Sequence, residues 1–311
     1  MAVTSTIAST ESTITRGIAF SIASYAAFST ADALVKAASA GHSVFQVALT
    51  LSLFAMLPVL FLTRGVGGLP ALFPKRWGLV VARGILTAFC GLCAWQAFAM
   101  LPLADGYAIL FLAPIMVTAI SALFLGEEVG WRRWSAAAAG FVGVIIMVRP
   151  DFATIGVGHG LALLAAVLGA VSFCVLKRIG SSETSASILF VLFLSIIIVA
   201  APGALTTWIT PGPSALLTMA LAGLLMGTGQ AALVLATREA PAVVVAPFQY
   251  SQMIWAVVLG VVFFGDRPTP MLFLGMGIVV ASGLFTLWRE TVRRGKVTIG
   301  TRVEVPARAA R

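Results

Sequence analysis

The polar side chains best suited to bind a ligand are concentrated near residue 250. Gln249, Gln252 and Trp255 follow one another at intervals of three residues, so a helix would present all three on one face. Two amides facing lipid would be costly, and this face should therefore point into the protein. Amide N–H groups can hydrogen-bond a carboxylate, and an aromatic ring attracts an ammonium group. The alternative is that these side chains only join neighbouring helices.

Other polar and aromatic side chains interrupt apolar segments elsewhere in the chain. Trp95 and Tyr107 belong to this group, although such residues also serve as anchors at membrane surfaces. A mostly neutral cavity with amide donors and aromatic walls would suit an amino acid. We predict that the following residues bind the substrate: Tyr25, Trp95, Tyr107, Gln230, Phe248, Gln249, Gln252 and Trp255.

Few charges fall inside apolar segments. Asp32 precedes Lys36 by four residues, the favourable order for an ion pair on a helix, and the alternative is a gate or a proton site. Arg83 follows Arg76 by seven residues, roughly 10 Å along a helix. Its side chain would reach back to the surface or bind a substrate carboxylate. We assign Asp32, Lys36 and Arg83 to coupling or gating.

Two prolines lie within long apolar segments. Pro114 and Pro247 each remove a backbone hydrogen bond and free a carbonyl group. Interrupted helices in two halves of a membrane protein are the best sequence sign of a transporter site. A simple packing kink is the alternative. We assign both prolines to gating.

Residues typical of an enzyme are missing from the sequence. There is no nucleophile with a neighbouring base, no phosphate-binding loop and no zinc-ligand spacing. Cys90 and Cys93 form a single CxxC without a second pair or a nearby histidine. We therefore expect no catalytic residues, no metal site and no cofactor.

The composition indicates a membrane protein. Hydrophobic residues make up 60% of the 311 residues and charged residues only 10%, whereas soluble domains carry about 25% charged residues. A spanning helix needs about 20 apolar residues. We predict ten, at 17–38, 44–62, 77–100, 104–125, 133–149, 158–178, 184–203, 214–237, 241–264 and 270–288. The net charge of +9 is distributed between these segments and not along one face, which argues against nucleic-acid binding.

The orientation follows from the distribution of basic residues. With the amino end inside, sixteen of the 20 Lys and Arg residues fall on the inner side and three on the outer side, with Arg83 inside the third helix. Because Lys and Arg favour cytoplasmic loops, we predict that both ends are cytoplasmic. We expect residues 1–15 to form a disordered leader and residues 290–311 a basic cytoplasmic tail.

The chain contains an internal repeat. Gly17 and Lys36 recur as Gly158 and Lys177, with the spacing between glycine and lysine unchanged. Further along, at an offset shorter by two positions, Pro, Gly and an acid recur together: Pro102 with Pro241, Gly126 with Gly265, and Glu127 with Asp266. The predicted units are 16–149 and 156–289, each with five helices. An odd number makes the two units cross the membrane in opposite directions, as in secondary transporters with a binding site between the halves.

Two sequence motifs carry a family resemblance. LPLADGYAILFLAPIMVTAISALFLGEE (101–128) and APAVVVAPFQYSQMIWAVVLGVVFFGDRP (240–268) each combine an opening Pro, an internal Pro and a closing Gly-acid pair. The sequence resembles the drug/metabolite transporter superfamily, and within it the EamA-type exporters. The resemblance implies ten helices in two halves and is nearest to bacterial inner-membrane exporters of amino acids, including the aromatic kind.

The sequence therefore predicts an all-α integral membrane protein that exports small metabolites, amino acids in particular, by alternating access. We expect a multi-pass protein of the bacterial inner membrane. Its partners would be a small-molecule substrate and the lipid bilayer, without nucleic acid, and the functional unit would be a monomer. The alternative is a multi-spanning membrane enzyme or lipid-handling protein.

Overall fold

A computed structural model describes residues 2–65, 67–124, 131–148, 155–240 and 242–300, and within these ranges the regular structure is helical. The α-helices are α1 (Ala2–Ala38), α2 (Val44–Leu62), α3 (Trp77–Met100), α4 (Leu103–Leu110), α5 (Ala113–Phe124), α6 (Trp131–Val148), α7 (Val157–Ile179), α8 (Ser185–Thr206), α9 (Pro213–Glu239), α10 (Ala242–Val245), α11 (Ser251–Phe264) and α12 (Pro270–Gly300). A 3₁₀ turn, Ala246–Tyr250, joins α10 to α11.

Several helices have the length and composition of membrane spans. Within the described residues, seven segments qualify: Thr13–Ala38, Val44–Leu62, Trp77–Met100, Val157–Ile179, Ser185–Thr206, Pro213–Glu239 and Pro247–Phe264. Three shorter apolar helices accompany them: Leu103–Val117, Trp134–Met147 and Pro270–Phe285. The all-helical class and the membrane location thus agree with the sequence prediction.

The two terminal helices are longer than the sequence suggested. α1 begins at Ala2 and so extends through the segment for which we expected a disordered leader. α12 continues to Gly300, well into the expected tail. Neither Pro nor Gly occurs between Ala2 and Arg16, so nothing in the backbone stops the helix that the apolar segment nucleates. Residues 301–311 lie outside the described residues.

Helices from the two parts of the chain interleave. α1 packs along α9, and α3 packs along α7; α2 also packs on α9, and α8 packs on α3. α2 contacts α8, α6 contacts α12, and α4 contacts α11. Each of these contacts joins a helix before residue 149 to a helix after residue 156. A continuous apolar core that includes Leu51, Phe98, Phe193 and Met219 fills the space between them.

Glycines allow the closest of these contacts. A Cβ atom at Gly223 of α9 would overlap the Leu51 carbonyl oxygen of α2. A Cβ atom at Gly84 of α3 would lie 3.2 Å from the Val191 carbonyl oxygen of α8. Small residues let membrane helices approach to backbone distance. Gly223 follows Gly84 at the repeat offset that also pairs Pro102 with Pro241. Val191 follows Leu51 at nearly the same offset. The same contact between a glycine and a backbone oxygen therefore occurs twice in the molecule.

Candidate substrate site

A buried carboxylate lies at the centre of the site. Asp32 of α1 is only 8% exposed. Its Oδ1 accepts a hydrogen bond of 2.9 Å from Trp95 Nε1 of α3, and its Oδ2 accepts one of 2.5 Å from the Tyr107 hydroxyl of α4. Three helices that are distant in sequence therefore converge on one acidic group. Three predicted site residues, Asp32, Trp95 and Tyr107, are in direct contact.

Lys36 does not form the predicted ion pair with Asp32. Its Nζ donates a hydrogen bond of 2.7 Å to the Leu101 carbonyl oxygen and lies 4.8 Å from the centre of the Phe264 ring. Asp105 and Asp266 are the acidic groups within its electrostatic range. The pairing prediction was wrong because Asp32 turns towards donors on α3 and α4. Lys36 instead connects the end of α1 with the α3–α4 connection and the end of α11.

Aromatic rings surround this region. The Tyr107 ring stacks on Phe98 with ring centres 5.0 Å apart, and Phe111 stacks on Tyr250 at 5.4 Å. Tyr25 of α1 is buried and meets Phe28 edge to face. Stacked rings of this kind present both flat apolar faces and electron-rich faces that attract cations.

The second part of the chain reaches the same centre through α11. The Gln252 side chain interacts with the Tyr107 hydroxyl, and Trp255, one turn later, packs against the same core. Gln249 and Phe248 belong to the 3₁₀ turn before α11, where Gln249 is exposed and Phe248 half-buried. The α-helical spacing that placed Gln249 beside Gln252 does not apply to this turn.

Two other predicted site residues, Gln230 and Arg83, are not among the groups that bond to Asp32. Gln230 is half-buried on α9, directly after Gly229, whose carbonyl oxygen accepts a hydrogen bond of 2.8 Å from Ser24 of α1. Arg83 of α3 is half-buried and its Nε atom has no hydrogen-bond partner. One turn later, Thr87 bonds to Ser172 of α7 at 2.6 Å.

Both proline-containing segments are interrupted. α4 ends at Leu110 and α5 begins at Ala113, with Pro114 as its second residue. Pro247 lies in the 3₁₀ turn between α10 and α11. The stacked pair Phe111 and Tyr250 sits at these two breaks, and its members are repeat counterparts, at the same offset that relates Gly84 to Gly223.

A cavity of about 250 Å³ opens beside Lys36, at the end of the bundle where α1 ends. Asp105, Asp266 and Arg267 contribute polar groups to its wall, and Ala256 and Leu272 contribute apolar ones. Glu127, the acid that corresponds to Asp266 in the sequence repeat, lies outside the described residues.

Sequence reasoning missed one polar group of the site. Ser29 of α1 is 1% exposed, and its Oγ atom lies beside the Tyr107 hydroxyl in a contact too long or too bent to count as a full hydrogen bond. Its position three residues before Asp32 was the available signal, because that spacing places both side chains on one helix face.

Comparison with known proteins identifies the family. The EamA-like transporter family model matches residues 15–149 and 156–288. The chain is 32% identical over 237 residues to a riboflavin transporter of Rhizobium johnstonii, covering 72% of this chain and 78% of that protein. It is 27% identical over 221 residues to an S-adenosylmethionine uptake transporter of Rickettsia bellii, covering 68% and 72%. It is 25% identical over 268 residues to a pseudopaline exporter of Pseudomonas aeruginosa, covering 86% and 94%.

A solved crystal structure has the same fold, with a TM-score of 0.65 and 16% sequence identity, and the match covers 89% of this chain and 98% of that one. The family matches confirm the predicted resemblance and the prediction that the protein is not an enzyme. The chain belongs to the EamA-like transporter family of the drug/metabolite transporter superfamily and transports small molecules across a membrane.

Proposed function

We propose that this protein is a secondary transporter that exports amine-bearing metabolites, amino acids in particular, across the bacterial inner membrane by alternating access. In this proposal, ten membrane helices form two inverted halves, 16–149 and 156–289, with both ends in the cytoplasm. The observation that carries the substrate class is the buried Asp32 carboxylate between aromatic rings.

The packing supports the inverted halves. In the proposed repeat, α1 corresponds to α7, α2 to α8 and α3 to α9. The contact between α1 and α9 therefore corresponds to the contact between α7 and α3, and the contact between α2 and α9 corresponds to the contact between α8 and α3. Each of these pairs of contacts occurs. Phe111 and Tyr250 correspond to each other and also touch. Two equivalent residues that touch must lie close to the axis that relates the two halves, and this axis passes between the two helix breaks.

The same symmetry supports alternating access. Two halves of similar structure and opposite orientation have two similar packings, one open to each side. In the proposed topology, Lys36 and the 250 Å³ cavity lie at the periplasmic end. A lysine that bonds to Leu101 and covers Phe264 joins helices of both halves at this end. Breaking these contacts would let the periplasmic side open.

The Asp32 environment supports an amine substrate. A carboxylate within a membrane protein is costly unless it is paired with a cation or a proton. An ammonium group would bond to the Asp32 carboxylate through a charge-assisted hydrogen bond. The apolar and aromatic surroundings would then hold the rest of the substrate. S-adenosylmethionine, the substrate named for the Rickettsia relative, is also a cation with an ammonium group.

A flavin is the second candidate substrate. Two relatives, from Rhizobium johnstonii and Vibrio cholerae, are named riboflavin transporters. The stacked pairs Phe98–Tyr107 and Phe111–Tyr250 supply flat surfaces on which a planar ring system would stack. In this case Asp32 would accept a hydrogen bond from a hydroxyl group instead of an ammonium group.

A reconstituted transport assay separates these candidates. Purified protein in liposomes is tested in both directions with radiolabelled phenylalanine, S-adenosylmethionine and riboflavin, with and without a pH gradient. Saturable movement of phenylalanine supports the leading proposal. Movement of riboflavin alone would replace it with the second candidate, and movement of no amine under any gradient would refute the substrate class. A carboxyl-terminal reporter that is active on the periplasmic side would refute the topology.

A further inference from the structure

The helices α2 and α8 are tied together at the end of the bundle where α2 begins. The Ser43 hydroxyl caps α2 by accepting a hydrogen bond of 3.3 Å from the Gln46 N–H, and it accepts another of 2.7 Å from the Thr207 hydroxyl. The buried Gln46 amide bonds to both backbone groups of Ile209, at 2.6 Å through Nε2 and at 3.1 Å through Oε1. The beginning of α2 is therefore joined to residues 207–212, the connection that follows α8.

The opposite end of the same helix pair has a matching tie. Thr184 caps the amino end of α8, and its hydroxyl donates a hydrogen bond of 2.7 Å to the Ala71 carbonyl oxygen. The Glu183 carboxylate accepts hydrogen bonds from two backbone N–H groups, that of Lys75 at 3.0 Å and that of Arg76 at 2.6 Å. These bonds are charge-assisted and lie at the positive end of the α3 dipole. The beginning of α8 is therefore joined to the connection that follows α2.

The two ties are related by the internal repeat. Thr184 follows Ser43 at the offset that relates Gly17 to Gly158. At each end, the capping hydroxyl bonds to the connection after the partner helix, and a nearby side chain forms two hydrogen bonds with the backbone of that connection. Contacts that alternate are made at the closed end of a transporter and broken at the open end. These contacts are made at both ends, as a permanent contact requires.

The tied pair lies away from the Asp32 site. Between its ends, α2 packs along α8, and a Cβ atom at Gly203 of α8 would lie 2.6 Å from the Phe45 ring of α2. The helices that carry Asp32, Tyr107 and Gln252 pack mainly on α7, α9 and one another. A route to Asp32 therefore opens through movement among those helices and does not require α2 to separate from α8.

We propose that α2 and α8 form a fixed pair that stays joined at both ends throughout transport, and that the alternation is confined to the helices around Asp32. This inference rests on the proposed alternating access and specifies which helices move. Because α2 belongs to one half and α8 to the other, the pair holds the two halves together. Lys36, which reaches from α1 to the Phe264 ring of α11, belongs to the moving contacts at the proposed periplasmic end.

Variants at the two ends distinguish a fixed pair from two gates. Gln46→Ala breaks the tie at the proposed periplasmic end, and Glu183→Ala breaks the tie at the cytoplasmic end. A thiol reagent applied from the periplasmic side labels a cysteine introduced at Ala256 in the cavity wall, above the background from the native cysteines. We expect each variant to lower the melting temperature by about 3 °C. Its labelling rate should stay within about twofold of the wild type, whereas Lys36→Gln, the control for a moving contact, should raise that rate.

Two gates would give a different result. A broken periplasmic gate would expose the cysteine at Ala256 more often, and a broken cytoplasmic gate would expose it less often. Opposite changes in the labelling rates of Gln46→Ala and Glu183→Ala would therefore refute the fixed pair and leave alternating access standing. This test needs no substrate, so it decides the role of α2 and α8 even if the proposed substrate class fails.

Cross-linking tests the fixed pair during transport. Ser43→Cys with Thr207→Cys joins one end of the pair, and Ala71→Cys with Thr184→Cys joins the other, so oxidation closes both ends of one molecule. The full chain in liposomes is assayed with whichever of phenylalanine, S-adenosylmethionine and riboflavin the wild type moves, before and after reduction with dithiothreitol. We expect the doubly cross-linked protein to keep at least about half of its transport rate, because no step of the cycle separates these ends.

The matched control joins the contact that is proposed to move. Lys36→Cys with Phe264→Cys, oxidised in the same way, should stop transport until the link is reduced. Loss of transport in the doubly cross-linked α2–α8 protein, restored by reduction, would refute the fixed pair. Transport that continues with the α2–α8 links and also with the Lys36–Phe264 link would support the fixed pair and refute the proposed closure at Lys36, so the two failures are distinguishable.

Discussion

The two segments matched by the family model, 15–149 and 156–288, are alike in their packing and unlike in their chemistry. Gly17 faces Ala240 in one place, and Gly158 faces Leu101 in the corresponding place, so the same close contact is built twice. Asp32 and Trp95 have no such counterparts. At the offsets of the internal repeat, their positions are occupied by Phe173 and Val234.

This difference indicates which features must be present in both segments and which are needed only once in the molecule. In the proposed mechanism both ends of the molecule must open and close, so close helix packing is required in both segments. A ligand site near the axis between them is the same site in both states. One set of polar side chains is therefore sufficient, and most of that set lies in the first segment, with Gln252 added from the second.

The largest expected effect comes from removing the charge that distinguishes the segments. Asp32→Asn keeps the size of the side chain but takes the counter-charge from a bound ammonium group, which we expect to weaken amine binding at least about 30-fold. Protein level in the membrane should not change. Binding of phenylalanine by purified protein measures the effect.

Asp105→Asn is the matched control for that change, because Asp105 lines the cavity beside Lys36 and is not bonded to Trp95 or Tyr107. If both variants lose the same affinity, the effect is a general response to lost negative charge and Asp32 has no special role.

The paired glycine contacts should respond alike to substitution. Gly84→Ala and Gly223→Ala each push a methyl group towards a backbone oxygen of the neighbouring helix, and we expect each to destabilise the protein by about 2 kcal/mol. Melting temperatures in detergent measure this. Gly78→Ala, where no atom lies within 4 Å, is the control and should leave stability unchanged. A loss in only one of the pair would contradict the equivalence of the two contacts.

Tyr250, at the proposed axis, is held by a third glycine. A methyl group on Gly283 of α12 would overlap the Tyr250 hydroxyl and its Cζ atom, so Gly283→Ala should displace the Tyr250 ring from Phe111. Since this pair lies at both helix breaks, we expect the maximal transport rate to fall about tenfold, a cost of about 1.4 kcal/mol, with the substrate KM unchanged.

Gly277→Ala on the same helix meets no atom within 4 Å and should transport normally. In a Tyr250→Ala background, Gly283→Ala should have little further effect, because the two residues act through one contact. Full additivity of the two changes would show that Gly283 acts through something other than Tyr250.

The fold was more predictable from the sequence than the site was. Apolar segments, prolines and recurring glycines are local signals, and they located the helices and the breaks near Pro114 and Pro247. The partners of Asp32 are 63 and 75 residues away, on helices whose rotation depends on packing against the rest of the protein. The i, i+4 spacing pointed to Lys36, because this rule considers only neighbours on one helix. Ser29 escaped notice because a single serine in an apolar helix usually bonds to its own backbone.

The smallest expected effect concerns Lys36 and its repeat counterpart, Lys177. Lys36 bonds to Leu101 and covers Phe264, whereas Lys177 is exposed and lies 5.9 Å from the Phe173 ring. Lys36→Gln should weaken the contact at the proposed periplasmic end and shift the population towards the open form about threefold, a change of about 0.7 kcal/mol that is typical of a partly exposed charged contact. A cysteine at Ala256, in the cavity wall, would report this as faster labelling from the periplasmic side. Lys177→Gln should leave that labelling rate unchanged, and equal rates in both variants would show that the Lys36 contact does not hold this end closed.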